Sequence, residues 1–284
     1  MGYPMAGHLK KDGRDVTVYN RNPARAKQWV EEYGGRSAAT PAEAAKGADI
    51  VFCCVGRDSD LRQVTLEKDG AFGAMAKGSI FVDHTTASAT IARELDAAAK
   101  AGGFGFIDAP VSGGQAGAVN GKLSIMCGGD PGVYARVEPV IAVYAKLSKL
   151  LGPAGSGQIT KMINQVCFGA VLQGLAEGFS FARAAGLDIE AVVEVVSKGA
   201  AQSWQMDNRW KTMAAGEYEH GFAVEWMRKD LAIVLDEARN NGVSLPVTAM
   251  VDQFYAEVEN LGGKRWDTSS LFARQENARK GSKR

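Results

Sequence analysis

With 284 residues, 46% of them apolar and 8% aromatic, the chain has the composition of a soluble globular protein and the length of two ordinary domains. Its 33 Lys and Arg balance 32 Asp and Glu to a formal charge of +1, which argues against a nucleic-acid or anionic-membrane binder and favours a small, locally recognised ligand. The longest apolar runs are strand length, so no membrane span is expected, and without a secretory leader pattern the expected location is cytoplasmic.

The chain opens on Met1-Gly2 and runs straight into a helical pattern. Asp15 to Tyr19 alternates as a strand, and Pro23 to Tyr33 reads as a helix with Pro near its start and Gly34-Gly35 past its end. Asp49 to Val55 is a continuous β-rich run, suiting a strand covered on both faces. Ser79 to Asp83 is the next strand, Ser88 to Lys100 an Ala-rich helix capped by Ser, and Gly105 to Asp108 a further strand. Such alternation implies a doubly wound parallel sheet, an α/β Rossmann-like N-terminal domain over residues 1–151. After Gly152 the pattern changes. A helix is expected from Gln158 to about Ala185, then Ile189 to Val196, Trp226 to Arg239 and Pro246 to Leu261, giving an all-helical C-terminal domain over residues 152–284. The basic end, Arg279 to Arg284, reads as a frayed tail, and the four cysteines as buried, reduced thiols.

Four stretches carry candidate chemistry. A dinucleotide fingerprint needs a strand, then G-x-G-x-x-G opening a helix, so that backbone N–H groups meet the pyrophosphate; here Gly2 stands where the last glycine would. The expected first strand and the earlier glycines are missing, which leads to the expectation that the native chain is longer by about ten residues, the length of one strand and turn. Asn20-Arg21-Asn22 follows the first observed strand pattern where an NAD enzyme commonly has an acidic residue; Arg21 suits a 2′-phosphate, or is a solvated loop arginine. Asp108-Ala109-Pro110-Val111-Ser112-Gly113-Gly114 follows a strand, and its consecutive N–H groups with the Ser112 hydroxyl could hold a carboxylate, or form an ordinary glycine turn. Lys161, Asn164 and Gln165 share one face of the long helix, where an amine among apolar residues and amides could pass a proton. Lys229-Asp230 is a weaker signal, since charged pairs on helices are usually solvated. His8 and His220 read as surface or capping residues. Neither the histidines nor the cysteines stand at metal-ligand spacing, so no metal is expected, and no G-x-S-x-G elbow supports a hydrolase.

Asp108 to Gly114 and Gly155-x-Gly157-x-x-x-Lys161-x-x-Asn164 together resemble the substrate-binding and catalytic segments of the β-hydroxyacid dehydrogenase family. That family includes 3-hydroxyisobutyrate dehydrogenase and the tartronate, glyoxylate and succinic semialdehyde reductases. The resemblance implies Lys161 and Asn164 as catalytic residues, and Ser112, Gly113, Gly114 and Gln165 as substrate contacts. It implies cofactor contacts at Gly2, Asn20, Arg21, Asn22, Val55, Gly56, Asp60, Thr86 and Lys229. Asn20-Arg21-Asn22 is similar to the Asn-Arg-Thr turn of NADP-preferring members, departing at Asn22, so NADP is expected with NAD as the alternative. The implied activity interconverts a small aldehyde or keto acid with its hydroxy acid. The implied assembly is a homodimer or homotetramer. The rivals are a serine-type β-hydroxy amino acid dehydrogenase and a catalytically silent NADP-binding assembly protein. Trp204, Phe222 and Trp226 are candidates for a distal pocket, or core aromatics.

Overall fold

The computed structural model describes residues 1–281, which fall into two compact units, Met1–Lys161 and Met162 onward. In the first unit α1 (Gly2–Lys11) leads to β1 (Thr17–Val18), α2 (Pro23–Tyr33) and β2 (Arg36–Ser37), and β1 pairs with β2 in parallel. After α3 (Pro41–Ala45) come β3 (Ile50–Cys53), α4 (Asp58–Thr65), β4 (Ile80–Asp83), α5 (Ala89–Gly102) and β5 (Gly105–Asp108). These three strands form parallel ladders in which Asp83 stands opposite Asp108. Then follow β6 (Val111–Ser112), α6 (Gly114–Val119), β7 (Leu123–Gly129), α7 (Pro131–Ile141) and β8 (Ala145–Leu150).

Local sequence explains the helix starts. Asn22, Ser88 and Asp130 each accept a first-turn backbone N–H through the side chain, and Pro23 and Pro131 occupy the first helical position, where a missing N–H costs nothing. Side chains then alternate across the strands. Ile80, Val82 and Ile107 pack with Met5 and Leu9 on one face, while Phe81 and Phe106 pack with Ile91 and Leu95 on the other.

The Rossmann-like α/β class expected from the sequence is the one found, with two departures in the sheet. Beyond β5 the sheet is mixed: β7 runs antiparallel to β5 and β6, and β8 parallel to β7. Second, the run Asp49 to Val55 has both faces packed as expected, Ile50 and Phe52 against one core cluster and Val51 and Cys53 against the other, but its ladder is one-sided. Among the described residues β3 pairs only with β4, leaving it at a sheet edge with Ile50, Val51 and Phe52 half-buried, while β1 and β2 form a separate pair.

Behind β4 lies a buried polar cluster. His84 donates from Nδ1 to the Ala109 carbonyl at 2.6 Å, which fixes the tautomer and leaves Nε2 to accept from the Tyr144 hydroxyl at 2.9 Å. Burial lowers the His84 imidazole to about 4 and raises the Asp83 carboxyl to about 7. Their linkage signs oppose each other. Between pH 6.5 and 4 the unfolded chain protonates His84 first, so its contribution to stability falls with pH; between 7 and 4 the folded chain holds the Asp83 proton, so that contribution rises as pH falls. At about 1.4 kcal/mol per pH unit the two contributions are on the order of 3 kcal/mol for His84 and 4 kcal/mol for Asp83. Asp83→Asn should therefore expose the His84 loss: urea midpoints of the variant should drop more steeply than wild type from pH 6.5 to 4. Parallel curves would refute the assignment.

The helical region is carried by α8 (Ser156–Ala184), which begins in the first unit and continues into the second. It is followed by α9 (Ile189–Val196), α10 (Trp204–Ala215), α11 (Val224–Asn241), α12 (Pro246–Asn260) and α13 (Leu271–Gly281). Leu172, Phe179, Met213, Met227, Leu231, Val251, Tyr255 and Phe272 share the core of the second unit. Glu276 on α13 accepts from Ser180 Oγ on α8 at 2.6 Å and from Arg279 at 2.8 Å. The expected fraying from Arg279 therefore gives way to helix as far as Gly281, and residues 282–284 of that tail lie outside the described residues. Cys53 and Cys127 are buried as expected, but Cys54 is half-buried and Cys167 is exposed on the outer face of α8. Among the described residues no helix is long and apolar enough to cross a membrane.

Candidate active site

The first unit presents its chemistry at the C-terminal ends of β3, β4 and β5, where doubly wound sheets place ligands. Gly2 begins α1, and a Cβ there would touch the Cys54 Cβ at 3.4 Å, so the glycine lets the helix start close against the end of β3. Met1, at the N-cap, offers no side-chain acceptor to the first-turn N–H groups, which suits them to a phosphate. After β1, Asn20 Oδ1 accepts the Asn22 N–H at 2.9 Å and Asn22 Oδ1 accepts the Ala24 N–H at 3.1 Å. The departure at Asn22 thus keeps a helix-capping residue. Between the two asparagines Arg21 is 82% exposed, its guanidinium 3.9 Å from Asp60. Asp60 also accepts the Gly56 N–H at 3.2 Å, and the Val55 N–H donates to Thr85 Oγ1 at 3.0 Å, tying the turn after β3 to the end of β4 beside half-buried Thr86.

The segment after β5 is built differently. Ser112 ends β6, and Gly113 and Gly114 both take positive φ, +131° and +62°, a pair of conformations that side-chain-bearing residues rarely adopt. Both glycines are exposed and Ser112 is half-buried, so the loop is open to a ligand. Asp108, at the end of β5, turns inward: its Oδ1 accepts the Gly155 N–H at 2.8 Å and its Oδ2 the Gln158 N–H at 2.9 Å. Gln158 in turn donates from Nε2 to the Thr85 carbonyl at 2.7 Å and accepts the Ala87 N–H at 3.0 Å. One turn later on the same face comes Lys161, 8% exposed.

In the second unit the expected residues form a chain of polar contacts. Asn164 Nδ2 donates to Gln165 Oε1 at 2.8 Å, Gln165 Nε2 donates to Asp230 Oδ2 at 2.6 Å, and Lys229 Nζ lies 2.9 Å from Asp230 Oδ1. Gln165 is buried with both ends of its amide engaged, an arrangement that orients Asn164. Lys229-Asp230 is not the solvated pair that helical charges suggest, because Asp230 is 3% exposed. The signal was present in the spacing: Met227, Asp230, Leu231 and Val234 form the buried face of α11, and an acid on such a face needs partners. Lys229 does not satisfy Oδ1 fully, since its approach lies off the hydrogen-bonding direction. Of the candidate aromatics, Trp204 is exposed beneath the Arg209 guanidinium, Phe222 packs against the core and Trp226 is half-buried. His8, on α1, donates from Nε2 to the last carbonyls of α6, Ala118 and Val119, and so caps a distant helix, while His220 contacts the Glu217 carbonyl three residues before it.

Two family models cover nearly the whole chain: the NAD-binding domain of 6-phosphogluconate dehydrogenase over residues 1–163, and the NAD-binding region of NADP-dependent 3-hydroxyisobutyrate dehydrogenase over residues 155–274. An uncharacterized oxidoreductase of Shewanella frigidimarina is 62% identical over 98% of this chain and 96% of its own. The chain belongs to the β-hydroxyacid dehydrogenase family. Other members extend the likeness. A probable 3-hydroxyisobutyrate dehydrogenase-like protein of Arabidopsis thaliana is 38% identical over 96% of this chain and 81% of its own. The structure of 3-hydroxyisobutyrate dehydrogenase from Mycobacterium tuberculosis with L-serine superposes with a TM-score of 0.87 at 27% identity, covering 96% of this chain and 94% of that one. As a β-hydroxyacid dehydrogenase the protein is an NAD(P)-dependent oxidoreductase acting on CH–OH groups.

Proposed function

We propose that the protein is an NADP-preferring reductase of small aldehyde or keto acids, of the semialdehyde or glyoxylate reductase or 3-hydroxyisobutyrate dehydrogenase type, with Lys161 as proton donor and acceptor. The observation that carries this reading is the placement of Lys161: it is buried near the start of α8, one turn after Gln158, which bonds Asp108 at the end of β5 and the Thr85 carbonyl just past β4. Ser112 and the N–H groups of Gly113 and Gly114 hold the substrate carboxylate. Lys161 stabilises the developing alkoxide and hands over the proton, while Asn164, oriented by Gln165, donates to the same oxygen. The first turn of α1, the Asn20–Asn22 turn, Val55, Gly56, Asp60, Thr86 and Lys229 would hold the nicotinamide cofactor, which when bound supplies or accepts the hydride.

Arg21 supports the choice of NADP, since an exposed guanidinium fits a 2′-phosphate and no carboxylate replaces it in the Asn20–Asn22 turn. Arg21→Ala should weaken NADPH binding about 10- to 100-fold, the scale of one charge-assisted contact, and leave NADH binding within about twofold. Fluorescence titration of both cofactors checks this, and equal losses would remove the preference from Arg21. Steady-state rates with glyoxylate, succinic semialdehyde, tartronate semialdehyde and L-serine, with each cofactor, test the substrate class. A serine-type dehydrogenase needs an anion free for the substrate ammonium, whereas Asp230 already faces Lys229, which favours the semialdehyde or keto-acid reading. Turnover of L-serine alone would reverse that order, and NADPH binding without any turnover would favour the silent assembly protein. A homodimer or homotetramer in the cytoplasm accompanies the reading, with sedimentation velocity as the check on assembly.

A further inference from the structure

We infer that Asp108 and Gln158 form a positioning clamp, which sets the start of α8, and so Lys161, against both the cofactor-side loop after β4 and the substrate-side loop after β5. The inference rests on the proposed role of Lys161 but adds residues to which that role assigns nothing.

Asp108 spends both carboxylate oxygens on the backbone of one helix start, Gly155 N–H and Gln158 N–H. Those N–H groups belong to the end of the helix that has no internal partners, so a carboxylate there supplies both acceptors and charge complementarity. Gln158 uses both ends of its amide as well, on the Thr85 carbonyl and the Ala87 N–H. Residues 85–87 include Thr86, and Asp108 begins the segment that ends at Ser112–Gly114, so the two side chains reach the two loops separately. Lys161 follows Gln158 by three residues, hence on the same face about 5 Å further along the helix.

The glycines around the clamp show that its closeness is built in. A Cβ on Gly157 would overlap the Met126 carbonyl oxygen and lie 2.8 Å from Asp108 Oδ2, and one on Gly128 would lie 2.6 Å from Asp108 Oδ1. Gly155 holds φ at +94°, and its N–H is the one Asp108 receives. The Gly155-x-Gly157 pattern, which drew notice in the sequence beside Lys161, is thus the steric condition for a carboxylate to seat against the helix start. Burial raises the Asp108 carboxyl to about 6 while the backbone N–H groups of Gly155, Gln158, Asp108 itself and Gly157 pull it down, which fits a group kept for its acceptors despite desolvation.

The test uses the full chain with Asp108→Ala, Asp108→Asn, Gln158→Ala and Gln158→Glu, read by hydrogen exchange and by steady-state kinetics. Exchange of the amides of residues 155–161 should accelerate at least tenfold in Asp108→Ala and Gln158→Ala, while β4 and β5 stay protected. Asp108→Asn keeps one acceptor and should fall between Asp108→Ala and wild type; partial rescue of this kind is not expected of a side chain that only fills space. In turnover with the best substrate, kcat should drop about 10- to 100-fold in the alanine variants, with cofactor affinity within about twofold. Unchanged exchange at 155–161 in the folded variants overturns the clamp whatever the activity. Faster exchange with unchanged kcat in an active enzyme overturns its catalytic consequence. If wild type turns over none of the substrates, the reading of Lys161 fails while the exchange result still decides whether the clamp exists. Should the alanine variants fail to fold, Asp108→Asn and Gln158→Glu carry the same comparison.

Discussion

Lys161→Ala is expected to lower kcat by about two to four orders of magnitude, the scale of losing general acid–base help, with cofactor affinity within a few-fold of wild type. The amine is buried, so truncation removes a charge-bearing group from a position that water reaches poorly. Lys161→Arg should recover little, because a guanidinium stays protonated and cannot cycle a proton. Stopped-flow hydride transfer in both directions, with the best substrate of the panel, separates chemistry from product release. The loss should appear in the chemical step. A variant retaining more than a tenth of wild-type kcat would show that the proton comes from elsewhere.

Gly221→Ala is expected to destabilise the chain by about 4 kcal/mol or to prevent its accumulation, since it combines a strained backbone with disruption of a buried polar network. Gly221 has φ +69°, and a Cβ there would overlap Oδ2 of Asp267. Asp267 cannot step aside cheaply. It is buried, and its carboxylate accepts the Phe222 N–H at 2.9 Å, the Ser269 N–H at 3.1 Å and the Ser269 hydroxyl at 2.6 Å, with Arg209 3.4 Å away. The control is Gly216→Ala, at φ +74° with open space around its missing Cβ. That variant should cost only about 1 to 2 kcal/mol, the backbone penalty alone. Urea denaturation of both variants measures the difference, and equal losses would mean that Asp267 moves freely.

How much of this could be read before the structure depended on whether the signal was local. Pro23 with Asn22 before it, Ser88 before the Ala-rich run, and the unbroken apolar period after Ser156 mark helices through chemistry confined to a few neighbouring residues, and they were legible. The pairing directions were not. Leu123 to Gly129 carries no mark that sets it antiparallel to β5, because register and direction come from which edges meet in the fold. Among the candidate residues, Lys161 and the Ser112–Gly114 loop stood out through residue type and spacing. Asp108 was visible only as the first letter of a motif, since its purpose depends on backbone N–H groups nearly fifty residues later. Asp230 was misread as solvated because a charged neighbour outweighed its place on a buried face.

The single-sided pairing of β3 has a consequence for handling the protein. Ile50-Val51-Phe52-Cys53 contains neither the lysine nor the proline with which sheet borders are commonly blunted, and it is β-rich and half-buried. A strand of that composition with one unsatisfied ladder is a template for edge-to-edge addition of another chain. Loss of material during concentration, rather than loss of fold, is the hazard that an open border strand of that kind carries.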